Sequence, residues 1–177
     1  MNAANSPADD RRVSTTVARL AALMKPGGLL STGEVAELRR MDPARPAPGF
    51  FKLEGAVLDA DLPAEAGRRE ERETRWAAVV AGLAILGELH RPERRLGTAL
   101  AEAGFTPVRF ARLIRADDDS LPDQLLTLAR FMAAKGVQAD WTHAAWLLTS
   151  VDAGSLESVR RHLARDYYGA LERSGGR

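Results

Sequence analysis

The chain has 177 residues, of which 45% are apolar and 28% are charged; this balance is typical of a globular protein and excludes an intrinsically disordered one. Its 25 basic and 24 acidic residues leave a net charge of +1, so any basic surface depends on where the charges lie. The absence of cysteine excludes a disulfide, a thiolate metal site and a cysteine nucleophile. Of the basic residues, 22 are arginine, which suits phosphate contacts and is equally expected of a GC-rich genome.

Two features bear on targeting. The N-terminal sequence MNAANSPADDRR lacks the apolar core of a signal peptide. The longest apolar run, Trp76 to Gly87, has 12 residues and is too short to span a bilayer. We therefore expect a cytoplasmic protein without a membrane partner.

The first third of the chain predicts two helices and a connector. We expect residues 1–8 to be disordered and a helix to begin near Asp9, because an apolar stripe then recurs at helical spacing, at Val13, Val17, Leu20 and Met24. Ser31 or Thr32 caps the second helix, which ends at the basic pair Arg39 and Arg40. Three prolines in residues 41–49 exclude a helix there.

Two further helices are predicted before the middle of the chain. A short one runs from Phe50 to Leu58, and after a loop a long one runs from about Arg68 to His90, where Pro92 stops it. The second half of the long helix is apolar on nearly all sides and rich in alanine and glycine. It therefore belongs at the centre of a helical core.

The stretch Leu96 to Ala116 predicts a helix, a glycine turn and a second helix. Gly104 ends the first of these helices, and Thr106 followed by Pro107 begins the second. The second helix has one apolar stripe, formed by Phe110, Leu113 and Ile114. On a helical wheel, three arginines centre almost opposite that stripe: Arg109, Arg112 and Arg115.

Pattern alone allows two interpretations of this unit. One is a helix-turn-helix motif, whose second helix would enter a DNA major groove. The other is a helical hairpin with a solvated outer face, which is the commoner fate of a charge run.

The remainder of the chain predicts three more helices. Three aspartates, 117–119, stand before Ser120 and Pro122, which favours capping of the next helix, Leu121 to Lys135, over binding of a hard cation. Asp140 and Ser155 are predicted to cap the last two helices. We place three tryptophans in the core rather than on a base-stacking surface: Trp76, Trp141 and Trp146.

No pattern of catalytic or metal-binding residues is convincing. The three histidines are too scattered for a metal motif, and no phosphate-binding glycine loop is present. Ser155, His162 and Asp166 have the residue types of a triad, but helical geometry separates the first two by about 10 Å. We therefore predict a protein that is not an enzyme and has no cofactor or small-molecule substrate.

The predicted fold class is all-α, a compact bundle of about eight short helices, with a division into two helical lobes as the alternative. We assign residues 9–172 to a single domain, with a possible lobe division near 91–95 and a frayed C-terminus at 173–177.

Several stretches, in order, resemble the CasB family, the small subunit of the type I-E CRISPR Cascade complex. They begin at Leu38-Arg39-Arg40 and continue through the segment Pro48 to Leu53, LGTALAEAG, Leu113 to Ala116, Gln124-Leu125 and Asp140-Trp141, then fade towards Arg160, Asp166 and Tyr167. Their order and spacing over about 130 residues make a chance resemblance improbable.

The resemblance implies a non-catalytic, all-helical subunit. Such a subunit would be present in two copies per complex and contact other Cascade subunits, the displaced non-target DNA strand and possibly crRNA. It would stabilise the R-loop without reading sequence. The basic positions that match the family are Arg39, Arg40, Lys52, Arg109, Arg115 and Arg160. We add Arg112 and Arg161 from the helical wheel, although a plain ion pair with Glu157 is the alternative for Arg161.

Overall fold

The computed structural model describes residues 7–150 and 152–175, with side chains at 11–150 and 152–174, and this part of the chain is all-α. Its nine α-helices are α1 (Pro7–Leu23), α2 (Thr32–Leu38), α3 (Pro48–Leu53), α4 (Ala66–Leu86), α5 (Leu96–Glu102), α6 (Pro107–Ile114), α7 (Leu121–Lys135), α8 (Thr142–Thr149) and α9 (Ala153–Gly175). The described residues form no β-strand, only isolated bridges. The predicted all-α class is confirmed.

The ends of the chain are helical further out than the sequence indicates. Helix α1 begins at Pro7 and helix α9 continues to Gly175. The remaining residues of the predicted disordered and frayed ends, 1–6 and 176–177, lie outside the described residues. The predicted single domain and its lobe division stay predictions.

Two predicted helix starts are confirmed by their hydrogen bonds. The Ser31 Oγ accepts from the Glu34 N–H at 3.3 Å, and the Glu34 Oε2 accepts from the Ser31 N–H at 2.9 Å, which completes a capping box before α2. The Thr106 Oγ1 accepts from the Arg109 N–H at 3.4 Å before α6, and Pro107 occupies the first turn.

Two predicted helix boundaries are wrong. Helix α4 ends at Leu86 rather than His90, because Gly87 takes a positive φ of 54° that leaves the helix. The last helix is capped by Asp152 rather than Ser155. The Asp152 Oδ1 accepts from the Ser155 N–H at 2.9 Å, and Ser155 lies buried in the first turn.

The segment predicted as one helix from Phe50 to Leu58 changes its hydrogen-bond period. Helix α3 passes at Glu54 into a π-helical segment, Glu54–Leu58, and then into a short 3-10 turn, Asp59–Asp61. Arg69 of α4 pairs with Asp59 at 2.9 Å and with Glu54 at 2.6 Å, and these bonds, the Asp59 bond first, raise the pKa of Arg69. This ion-pair cluster ties the irregular segment to α4.

The second half of α4 is the centre of the core, as its composition predicts. Trp76 and residues 77–84 are all buried, and α4 packs against α7 and α8. Gly82 is required here, since a Cβ would lie 2.3 Å from the Trp141 ring. The Trp141 Nε1 donates to the Val79 carbonyl at 3.1 Å. Trp76 and Trp141 are buried and Trp146 is partly buried, in agreement with the predicted core role.

Helix α9 completes the fold by packing closely against α5. A Cβ at Gly97 of α5 would lie 2.5 Å from the Leu163 carbonyl oxygen of α9, so the two backbones are almost in contact. Such an approach is possible only with a glycine between the helices. This contact fixes the position of α9, and α9 in turn supports α6.

Candidate nucleic-acid interface

Helix α6 presents one buried face and one basic face. Phe110 is fully buried and Leu113 is 2% exposed. The three arginines predicted on the opposite face, Arg109, Arg112 and Arg115, are all exposed. Within the described part of the chain, none of the three forms an ion pair with a carboxylate. Their charge is therefore available to a partner.

Helix α9 runs antiparallel to α6 along its buried side. The rings of Phe110 and Tyr167 stack with centroids 3.9 Å apart, and the Arg160 Nη2 donates to the Ala116 carbonyl at 2.5 Å. Phe110 comes before Ala116 in the chain, whereas its partner Tyr167 comes after Arg160. The two segments therefore run in opposite directions. Arg160 is half-buried, so its guanidinium bonds to the segment that follows α6 rather than extending into solvent.

The outer face of α9 adds basic residues beside α6. Arg161 is exposed and pairs with Glu157 at 3.0 Å, one turn earlier on the helix, so the ion pair considered for it is present. Arg165 is exposed and forms no ion pair among the described residues. On a helical wheel Arg165 lies opposite the apolar stripe of α9, and that position could have identified it as a site residue. Arg165 is nevertheless absent from the predicted site. We group the exposed arginines of these two neighbouring helices under the name α6–α9 surface: Arg109, Arg112, Arg115, Arg161 and Arg165.

The other predicted basic residues belong to α3 and to the end of α2. The Arg39 Nε donates to the Ala84 carbonyl at 2.9 Å, which ties the end of α2 to α4. Arg40 is exposed and, among the described residues, unpaired. The Lys52 Nζ pairs with the Glu34 Oε1 at 2.6 Å. We name Arg39, Arg40 and Lys52 the α2–α3 group.

Two of the three basic side chains in the α2–α3 group, Arg39 and Lys52, already bind partners within the protein. The Lys52 ammonium, followed by the Ser31 N–H and hydroxyl, lowers the pKa of Glu34 to about 2. Glu34 is therefore ionised at neutral pH and neutralises Lys52. Only Arg40 in this group has no internal partner among the described residues, whereas the α6–α9 surface has four such arginines.

The triad residue types and the aspartate run have other roles in the fold. Asp166 pairs with Arg95 at 2.9 Å, and the His162 Nδ1 lies 2.8 Å from the Ser158 carbonyl oxygen. The Asp117 Oδ1 accepts from the Ser120 N–H at 2.9 Å, so the aspartate run orders the turn before α7; it does not cap an N–H of the helix itself. No cluster of carboxylates and histidines in the described ranges could hold a metal ion.

No described helix is both long and apolar enough to cross a membrane.

Solved structures share this fold. One chain in the crystal structure of E. coli Cascade bound to a PAM-containing double-stranded DNA target is 23% identical, with a TM-score of 0.62, over 90% of this chain and 95% of that chain. CasB from Thermus thermophilus is 24% identical, with a TM-score of 0.63, over 93% of this chain and 99% of its own. M. ruber CasB is 19% identical, with a TM-score of 0.64, over 93% and 97% of the two chains.

Sequence comparison gives the family. No curated protein matches the chain. The family described as CRISPR-associated protein Cse2 matches residues 34–168, a span that contains most of α2, all of α3 to α8, most of α9 and all eight predicted basic residues. The match covers well over half of the chain, and the predicted resemblance is thereby confirmed: this protein belongs to the CRISPR-associated Cse2 (CasB) family.

Proposed function

We propose that this protein is a non-catalytic structural subunit of a CRISPR RNA-guided surveillance complex of the Cascade type. In that complex it holds the displaced non-target DNA strand and stabilises the R-loop without reading sequence. The observation that carries the proposal is the α6–α9 surface of a Cse2-family chain, where four exposed arginines have no carboxylate partner among the described residues.

Arginine is well suited to this role. Its guanidinium binds phosphate through parallel hydrogen bonds, and the release of counterions favours binding to a strand of any sequence. In RNA-guided recognition, base pairing reads the target, and contacts between protein and backbone shift a nearly balanced strand exchange. A few phosphate contacts in the right place are therefore sufficient.

The eight predicted residues contribute unequally in this proposal. Arg109, Arg112 and Arg115 contact phosphates directly. Arg40 does the same from the α2–α3 group, where Arg39 and Lys52 keep their internal bonds and contribute less. Arg161 contacts DNA by exchanging Glu157 for a phosphate, and Arg160 acts by positioning α6.

The proposed partners are other Cascade subunits, a second copy of this chain, the non-target strand and crRNA. The solved chain in E. coli Cascade bound to a double-stranded DNA target, which has the same fold, supports the first of these and a DNA partner in general. We propose no small-molecule substrate or cofactor, and a cytoplasmic location.

The test is a triple variant, Arg109→Ala with Arg112→Ala and Arg115→Ala, in the reconstituted complex. It should melt close to wild type, because surface substitutions shift stability by about 0.5 kcal/mol or less each and alanine favours the helix. It should nevertheless lose R-loop stability. The matched control removes three exposed arginines elsewhere, Arg45, Arg68 and Arg130, and should keep it.

The isolated protein gives a second measurement. It should bind nucleic acid without sequence preference, with a dissociation constant of about 10⁻⁴ to 10⁻⁶ M at physiological salt and a log–log salt slope of about 3 to 6. The triple variant should have a smaller slope. Normal R-loop stability in the triple variant would refute the assignment of the α6–α9 surface. A strong preference for one duplex sequence would instead indicate a helix-turn-helix regulator.

A further inference from the structure

Three aromatic rings lie where α6 meets α9, and one of them reaches the surface. Phe110 and Tyr167 are fully buried and stacked. The Tyr168 ring stands nearly perpendicular to both, with centroid distances of 5.2 Å to Tyr167 and 5.8 Å to Phe110. Tyr168 is 42% exposed. The two buried rings therefore hold an exposed third ring in place.

The surroundings of Tyr168 are basic. Arg161, Arg165 and Tyr168 follow one another at i, i+4 and i+7, so they form one stripe on the outer face of α9. The ring contact with Phe110 places Tyr168 beside α6. The exposed ring thus has two exposed arginines next to it on α9; Arg165 has no carboxylate partner among the described residues, whereas Arg161 pairs with Glu157.

Only one other aromatic ring in the described ranges is comparably exposed. Phe51 on α3 is 52% exposed, but the adjacent Lys52 is neutralised by Glu34. Trp76 and Trp141 are buried and offer no accessible ring face. Tyr168 is therefore the aromatic side chain that combines accessibility with uncancelled neighbouring charge.

We propose that Tyr168 stacks on an unpaired base of the bound strand while the arginines of the α6–α9 surface contact its phosphates. This inference rests on the proposed function and specifies its ligand as single-stranded DNA. Proteins that bind single strands without reading sequence combine a basic track with aromatic rings, because every base has a face on which to stack. In a duplex the bases are stacked on each other, so Tyr168 has no base to contact.

The edge contacts of Tyr168 lower the entropic cost of this interaction. A ring already ordered by Tyr167 and Phe110 has less rotational freedom to lose when a base stacks on it. The outer face of α9 then has two roles: the arginines bind any strand, and Tyr168 selects single strands over duplexes.

The experiment uses the full-length protein with a short single strand and a duplex of the same sequence, each carrying the fluorescent base 2-aminopurine. Tyr168→Ala should weaken single-strand binding about 5-fold or more, the loss expected for one stacked base, and leave duplex binding and the salt slope unchanged. Tyr168→Phe should bind like wild type. Binding of the single strand should quench 2-aminopurine in wild type and Tyr168→Phe, but not in Tyr168→Ala.

Two matched controls remove exposed apolar side chains elsewhere. Val108→Ala, on α6 and 73% exposed in the native protein, and Phe51→Ala, on α3, should both bind like wild type. If Tyr168→Ala does not fold, Tyr168→Leu keeps an apolar side chain at the site without an aromatic face and should show the same selective loss.

The outcomes separate the two proposals. Equal losses for single strand and duplex, an equal loss in Tyr168→Phe, or a loss in Phe51→Ala without one in Tyr168→Ala would each overturn the stacking proposal. If Tyr168→Ala binds like wild type while the triple arginine variant loses binding, stacking is wrong and the proposed function stands. If the triple arginine variant also keeps full binding, both fail.

Discussion

Replacement of Gly97 by alanine should destabilise the protein, although alanine is the better helix former. A Cβ at this position would lie 2.5 Å from the Leu163 carbonyl oxygen and 2.9 Å from the Asp166 Cβ. Neither atom is at the end of a flexible side chain, so α9 would have to move away from α5 by about 1 Å to reach an ordinary contact distance. Overpacking of this kind costs about 1 to 3 kcal/mol, and the better propensity of alanine offsets about 0.5 to 1 kcal/mol of it. Because both clashing atoms belong to the framework of α9, the overpacking cost lies in the upper half of its range, and the expected net loss is about 1 to 2 kcal/mol.

Thermal unfolding provides the assay, with Gly169→Ala as the matched control. Gly169 lies inside α9, where the nearest atom to a new Cβ is the Arg173 Nη1 at 3.4 Å, the end of a flexible side chain. Gly97→Ala should lower the melting temperature by about 2 to 8 °C, and Gly169→Ala should leave it equal or raise it. If Gly97→Ala melts at or above wild type, α5 and α9 do not approach as closely as described.

Three further changes test other parts of the fold. Leu113→Ala should cost about 2 to 5 kcal/mol in urea unfolding by opening a cavity under α6, and a loss below 1 kcal/mol would mean that this face is not packed. Tyr167→Phe removes the hydroxyl that donates to the Phe105 carbonyl and should cost about 1 to 3 kcal/mol; a neutral result would show that this bond is not made. The folded-state pKa of Glu34, about 2 against an ordinary 4.5, means that its stabilising effect is complete above pH 4.5 and is lost as the pH falls towards 2. Glu34→Gln should therefore reduce the acid sensitivity of unfolding across that window, and an unchanged pH profile would contradict the Lys52 pairing.

Local sequence signals predicted the helices and the caps of α2 and α6. Ser31 and Thr106 each precede a helix and accept from its third N–H, as the spacing indicates. The cap predicted at Ser155 is wrong, because Asp152 caps α9, and the one predicted at Asp140 is displaced by one residue, because Trp141 immediately precedes α8.

Glycines in the apolar helix were harder to interpret. Gly82 and Gly87 occur in the same apolar run. Gly82 leaves space for the Trp141 ring, whereas Gly87 takes a positive φ and ends α4. Only the tertiary partner of each glycine distinguishes them.

The basic face was predictable only in part, because its tertiary contacts also involve residues distant in the sequence. Helical spacing was enough to place Arg109, Arg112 and Arg115 opposite the buried side of α6. Spacing could not show that Arg160 bonds the Ala116 carbonyl, 44 residues away in sequence, because that contact depends on how α6 and α9 pair. Tyr168 follows a buried tyrosine, and its spacing from Arg161 and Arg165 places it on the outer face of α9, but spacing could not show its ring contact with Phe110.

The antiparallel support of α6 by α9 has a consequence for biosynthesis. Helix α9, Ala153–Gly175, leaves the ribosome after α5 and α6, and it supplies the partner that Gly97 of α5 and Phe110 of α6 require. Until α9 emerges, the faces that these two residues share with it stay uncovered, and α6 is held chiefly by its contact with α7. A nascent or truncated chain that lacks α9 would therefore present the arginines of α6 on an incompletely supported helix. Assembly with nucleic acid through this surface must then wait until α9 has been synthesised.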